Sequence, residues 1–170
     1  MTTLVAAPEV RRLLNPGFLS VVIAIAAEGY QDERQESLPF LLALLVPPLI
    51  LHRETRENLP KVVVTKLSDW AKNYPQLIHL VPKHTQEFLP LTKEAIIFGS
   101  NIGTLTVNSD GSLISLKSPT RSKIVKAGQM SVEIPDIVKR AYFAGRWLAH
   151  AGTIATIYSI LGIGLDNADH

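Results

Sequence analysis

A chain of 170 residues, 46% hydrophobic and 19% charged, is long and apolar enough for one compact domain, which excludes a disordered chain. A net charge of +2 does not argue for nucleic acid by itself. The absence of cysteine excludes disulfides, thiolate nucleophiles and zinc–cysteine sites.

The opening MTTLVAAPEVRRLLN puts two arginines where a signal-peptide cleavage site belongs, so a soluble cytoplasmic protein is expected. The first predicted helix opens at Asn15-Pro16, with Asn as N-cap and Pro at the first helical position. It runs through GFLSVVIAIAAEGY, with Phe18, Val21, Val22, Ile25 and Ala26 on one face. Gly29 and the charged segment QDERQES are expected to close it.

Ser37 is placed to cap a second helix over Leu38–Leu51. This run is shorter than the roughly 20 apolar residues of a membrane span. It is also too uniformly apolar for a surface helix. The expectation is a helix enclosed by protein and kinked at Pro47-Pro48, which delivers His52, Arg53 and Arg56 to a defined place before Pro60 ends the element.

A short helix in TKLSDWAKNYPQ follows, with Leu67, Trp70 and Ala71 inward and Pro75 as its stop. A fourth helix spans about Pro82–Ser100 and is expected to break at Pro90. The period then changes from 3.6 to 2. TLTV, the turn NSDG and SLISLK read as two strands, with Asp110-Gly111 tolerating positive φ. Helix, turn, helix and hairpin are the order of a winged helix-turn-helix, with the wing at Thr104–Lys117. Ser118–Met130 has no clear period. A last helix starts at Pro135-Asp136 and continues to the glycines beyond Leu161. The predicted fold is mainly α with a small β-hairpin, a single winged helix-turn-helix-like domain over 1–170 with N- and C-terminal helices packed around it.

Signals for catalysis are missing. There is no Gly-rich phosphate loop, no G-x-S-x-G elbow and no H-E-x-x-H. Asp32, Glu33, Glu36, Glu54 and Glu57 lie in wet segments, where nothing raises a carboxyl pKa for acid–base work. His79 and His84, five apart with Pro82 between them, lack metal-ligand spacing. We therefore expect no enzyme, no metal and no cofactor.

Three uses stay open for His52, Arg53 and Arg56: cations on a helix C-terminus with an Arg53–Glu57 pair, an internal arginine clamp, or partner docking. In the last helix Lys139, Phe143, Arg146 and His150 share a face. Ala141, Gly145 and Ala149 form a small-residue row that admits another backbone, and beyond His150 the segment AGTIATIYSILGIGL is apolar almost all round, to be covered either by this protein's own core or by a partner. Lys139, Arg146, Trp147 and His150 join the partner-interface candidates. Lys117, Arg121, Lys123 and Lys126 form either a solvated basic loop or phosphate contacts beside the wing. The presumed recognition helix is poor in base-reading side chains.

The segments NPGFLSVVIAIAAEGY, LPFLLALLVPPLILHRETRENLP, LSDWAKNYP and LTKEAIIFGSNIGTLTV resemble the middle component of bacterial three-component ABC-ATPase conflict systems. Asn15 to Phe18, the His52, Arg53, Arg56, Leu59, Pro60 pattern, Ala95–Val107 and Tyr142–Trp147 carry the resemblance. It implies a small winged-helix, non-catalytic adaptor between an SMC/Rad50-like ABC ATPase and an effector, often a nuclease, in defence against phage or plasmids. DNA would be met through the complex. A winged-helix DNA-binding regulator is the alternative. A membrane-associated protein is disfavoured, because both apolar stretches are only about 14–15 residues.

Overall fold

The computed structural model describes residues 15–116 and 133–165. Helix α1, Pro16–Arg34, begins where the sequence places it, with Asn15 Oδ1 accepting from Gly17 N–H at 2.8 Å. It runs past Gly29 and ends at Gln35 in the left-handed region, φ 58°. Gly29 is not a terminator because its missing side chain serves a helix crossing. Residues 21–27 contain no polar side chain, so this stretch of α1 has no wet face. Leu19, Val22, Ile23, Ala24, Ile25, Ala26 and Ala27 are all buried, which makes α1 the central helix.

The apolar run after it is enclosed as expected but is not one kinked helix. It divides into α2, Phe40–Ala43, and α3, Val46–Leu51. Pro47 and Pro48 fall in the first turn of α3, where their missing N–H groups break no internal bond. The prolines start a helix rather than bend one. Ser37 does not cap α2, whose N-cap is Pro39. Its hydroxyl instead accepts from Asn108 Nδ2 in the hairpin turn. His52 ends α3 and begins α4, Arg53–Glu57.

Helix α5 covers Leu67–Asn73, and only Tyr74 separates it from α6, Pro75–Ile102. Pro75 therefore opens α6 as well as stopping α5. The break expected at Pro90 does not occur. Buried Leu77, Val81, His84, Phe88, Thr92, Ala95 and Gly99 recur every three to four residues along one face. Pro82 and Pro90 lie off that stripe, and packing of the stripe overrides the local penalty of about 3 kcal/mol per proline.

Strands β1, Leu105–Val107, and β2, Leu113–Ser115, pair antiparallel across the predicted turn, with Gly111 at φ 84°. Asp110 Oδ1 accepts from Ser112 N–H and Oγ–H, and these bonds lower the Asp110 pKa. Helix α7, Glu133–Ala149, starts two residues before the predicted proline and stops sooner than expected. Gly152, at φ 100°, turns the chain, and Thr153 caps a separate helix α8, Ile154–Ile160. The terminal helix is thus two helices, and Ala155, Thr156 and Ser159 of α8 face solvent.

Helix α1 is flanked by α6, α7 and β2, and α3 packs on α6 and α7. Among the described residues the architecture is mainly helical with one two-stranded antiparallel sheet. No helix among the described residues is long and apolar enough to cross a membrane.

Candidate partner interface

Arg56 is 2% exposed and reaches across the fold. Its Nη1 donates to Ile50 O at 2.7 Å, its Nε to Asp136 Oδ2 at 2.9 Å and its Nη2 to Glu133 Oε1 at 2.9 Å. Of the three uses left open by the sequence, this geometry is the internal clamp. It ties the end of α3 and the body of α4 to the first turn of α7. Arg53 does the other expected job, pairing with Glu57 at 2.8 Å on the exposed side of α4. Arg56 accordingly presents no group to a partner.

His52 caps α4 through Thr55, its Nδ1 lying 2.6 Å from Thr55 Oγ1. Its ring lies 4.7 Å from that of buried His84 on α6, at a tilt of 52°. Sequence spacing set His84 beside His79, whereas the chain brings it to His52. Burial, then the neighbouring His52 and Lys83, lowers the His84 pKa to about 4, and burial also lowers that of His52.

The unfolded chain takes up a proton near pH 6.5, and the folded chain holds His84 neutral to about pH 4. His84 therefore contributes stability that is complete above pH 6.5 and is lost as the pH falls toward 4, by up to about 3 kcal/mol. We expect the urea midpoint of the native chain to drop through this window and that of His84→Gln to drop less. Parallel pH profiles for the two proteins would refute this account of the pair.

The C-terminal half of α1 meets α7 through a polar latch. Glu33 Oε1 accepts from Arg146 Nε at 2.6 Å, and Glu33 Oε2 lies 2.7 Å from His150 Nε2. Hydrogen bonds from Arg146 and then His150 hold the Glu33 carboxyl below its usual range. Tyr142 donates to Asp32 Oδ2 at 2.6 Å, with the Arg146 guanidinium over its ring. The latch was readable in principle: Glu33 follows Ala26, Gly29 and Tyr30 down one helical face, opposite the row containing Gly145.

Trp147 is 1% exposed. Its ring packs edge-on against Trp70 at 5.3 Å and stacks with Phe143, and its Nε1 donates to Thr65 O. Trp70 Nε1 donates to Asn58 O and Arg140 Nη1 to Pro60 O, so three side chains pin the loop between α4 and α5. Val62 and Val64 on that loop are exposed. Lys139 is exposed on α7. Lys117, Arg121, Lys123 and Lys126 lie outside the described residues.

Of the interface candidates, then, Arg56 and Trp147 are occupied inside the fold, Arg146 and His150 bind Glu33, and Arg53 and Lys139 are at the surface. Sequence reasoning did not single out the other exposed feature. At the end of α6, Ile97, Phe98 and Ile102 are exposed, and Val107 follows on β1. No charged residue occurs from Ala95 to Ser109. Among the described residues no group of three or more His, Asp or Glu could hold a metal ion.

A family model described as ABC-three component (ABC-3C) system Middle Component 3 matches residues 5–165. No curated protein and no solved structure matches the chain.

Proposed function

The chain belongs to the middle component 3 family of ABC-three component systems, and we propose that it serves there as a non-catalytic adaptor. In this reading it holds an effector, a nuclease by preference, to an SMC/Rad50-like ABC ATPase in defence against phage or plasmids. Helices α5 and α6 with the hairpin follow the order of a winged helix-turn-helix, and we read them as one.

The observation that carries the adaptor over a DNA-binding regulator is the region formed by the end of α6 and β1. It exposes Ile97, Phe98, Ile102 and Val107 within a stretch that has no charge. Phosphate binding needs cations there, whereas a protein surface matches apolar side chains. The inward charges support the same reading, since Arg56 and Arg146 are tied to carboxylates between helices.

Co-expression with the ABC ATPase and effector encoded beside it, followed by size-exclusion chromatography, tests the proposal. Co-elution is expected with at least one of them. Ile97→Glu or Val64→Glu, each at an exposed position, should detach a partner without changing the thermal melt of the isolated chain. Elution of the chain alone beside intact neighbours, with and without nucleotide and DNA, would sink the adaptor reading.

A further inference from the structure

We propose that the loop between α4 and α5, which presents Val62 and Val64 between Lys61 and Lys66, docks an acidic segment of another protein, one that sets an apolar side chain among carboxylates. The inference deepens the adaptor reading and rests on it, assigning the chemistry of one partner.

The backbone of this loop is held from the core outward. Trp70 Nε1 donates to Asn58 O at 2.8 Å, Arg140 Nη1 to Pro60 O at 3.0 Å and Trp147 Nε1 to Thr65 O at 2.7 Å. Both tryptophans are buried, and Thr65 N–H closes a turn on Val62 O. In that fixed shape Val62 is 56% and Val64 76% exposed. One exposed valine is ordinary. Two on a turn tied at three carbonyls are already ordered for contact, so a partner meets them with little further loss of chain entropy.

Charge around the turn has one sign. Residues 58–68 and 137–149 contain no carboxylate. Lys61 and Lys66 flank the valines, and Lys139 and Arg140 stand on the part of α7 that holds the loop. Arg140 lies over the Phe143 ring, one turn after Lys139. No ion pair among the described residues engages any of these four cations. Of the bordering acids, Glu57 is paired with Arg53 and Asp136 with Arg56, and Asp69 on α5 forms no ion pair with Lys66.

An acidic protein segment answers both halves of this surface. Nucleic-acid phosphates would satisfy the lysines but leave Val62 and Val64 in water. A bilayer would take the valines, but interfacial binding scales with buried apolar area, and two valines supply little. The loop shares no element with the uncharged region at the end of α6 and β1, so the two surfaces suit partners of different chemistry.

The full chain is titrated with the purified ABC ATPase and effector encoded beside it, from about 50 to 300 mM salt, a range over which surface charges become screened. Binding to one of them is expected, weakening as salt rises. Lys61→Glu with Lys66→Glu should raise its Kd about tenfold or more and remove most of the salt dependence. Val64→Ser should raise the Kd several-fold with the salt dependence kept. Both proteins should melt like the native chain, and Lys139→Glu gives a further charge reversal outside the loop with the same expected direction. Native binding that the loop variants leave unchanged, or that does not respond to salt, overturns the proposal while the adaptor reading stands. A native chain that binds neither neighbour removes both. Duplex DNA alone, or phosphatidylserine vesicles alone, binding the native chain and losing it on Lys61→Glu with Lys66→Glu, would reassign the loop to that ligand and overturn the protein partner.

Discussion

Gly145→Leu is expected to abolish cooperative folding, and Gly145→Ala to lower the melting temperature by about ten degrees. A Cβ at Gly145 would stand 1.9 Å from Ala26 O, 2.8 Å from Ala26 C and 3.0 Å from Tyr30 N. On the facing helix a Cβ at Gly29 would stand 2.3 Å from Tyr142 O. Overpacking costs about 1–3 kcal/mol where side chains can turn aside. Here the obstacle is helix backbone, so α1 and α7 must separate and loosen the core around Ala26, Ala141 and Ala144. A loss of about 4 kcal/mol or more is a large share of the roughly 5–15 that holds a domain together. Gly103→Ala is the control: that glycine has φ 79° and open space around it, and its replacement carries only the local strain of about 1 kcal/mol. Circular dichroism melts of the three variants decide the matter. A Gly145→Leu protein melting cooperatively near the wild type would show that the helices cross farther apart.

That crossing also marks how far the sequence could be read. The row Ala141, Gly145, Ala149 announced a close backbone, but periodicity cannot say whose backbone it is. The answer depended on α1 continuing past Gly29, and a glycine at the crossing looks locally like a glycine at a helix end. The hairpin and the Asn15 cap were legible because their chemistry is complete within a few residues. The prolines misled in both directions for one reason. Pro47 and Pro48 cost nothing in a first turn, and Pro82 and Pro90 are carried by the buried stripe of α6, so each effect depends on packing. His52 and His84 are distant in sequence, and no spacing rule finds such a pair, whereas Glu33 could be placed on the face of α1 that meets the Gly145 row but not assigned to Arg146.

Arg56 is the second position where a large effect is expected, and it separates a clamp from a docking point. The guanidinium is 2% exposed, while the Glu133 and Asp136 side chains are 39% and 45% exposed. After Arg56→Ala those carboxylates can return to water, so stranded charge contributes little to the loss. What remains is a cavity under α4, an Ile50 carbonyl without its donor, and a first turn of α7 no longer held to α3 and α4. Losing one side of a buried charged pair costs about 3–5 kcal/mol, and carboxylates this exposed set the expectation near the lower end, about 3 kcal/mol. Arg56→Lys keeps the charge but reaches fewer acceptors, so it should fall between wild type and alanine. Glu133→Gln with Asp136→Asn should cost much less in the wild type, and nearly nothing more once Arg56 is gone, because the two changes act on one contact. Urea unfolding of the cycle measures that coupling. Additive losses, or an Arg56→Ala protein within about 0.5 kcal/mol of wild type, would mean the clamp does not hold α7. A coupled loss assigns the arginine following the apolar run to the fold and not to a docking surface.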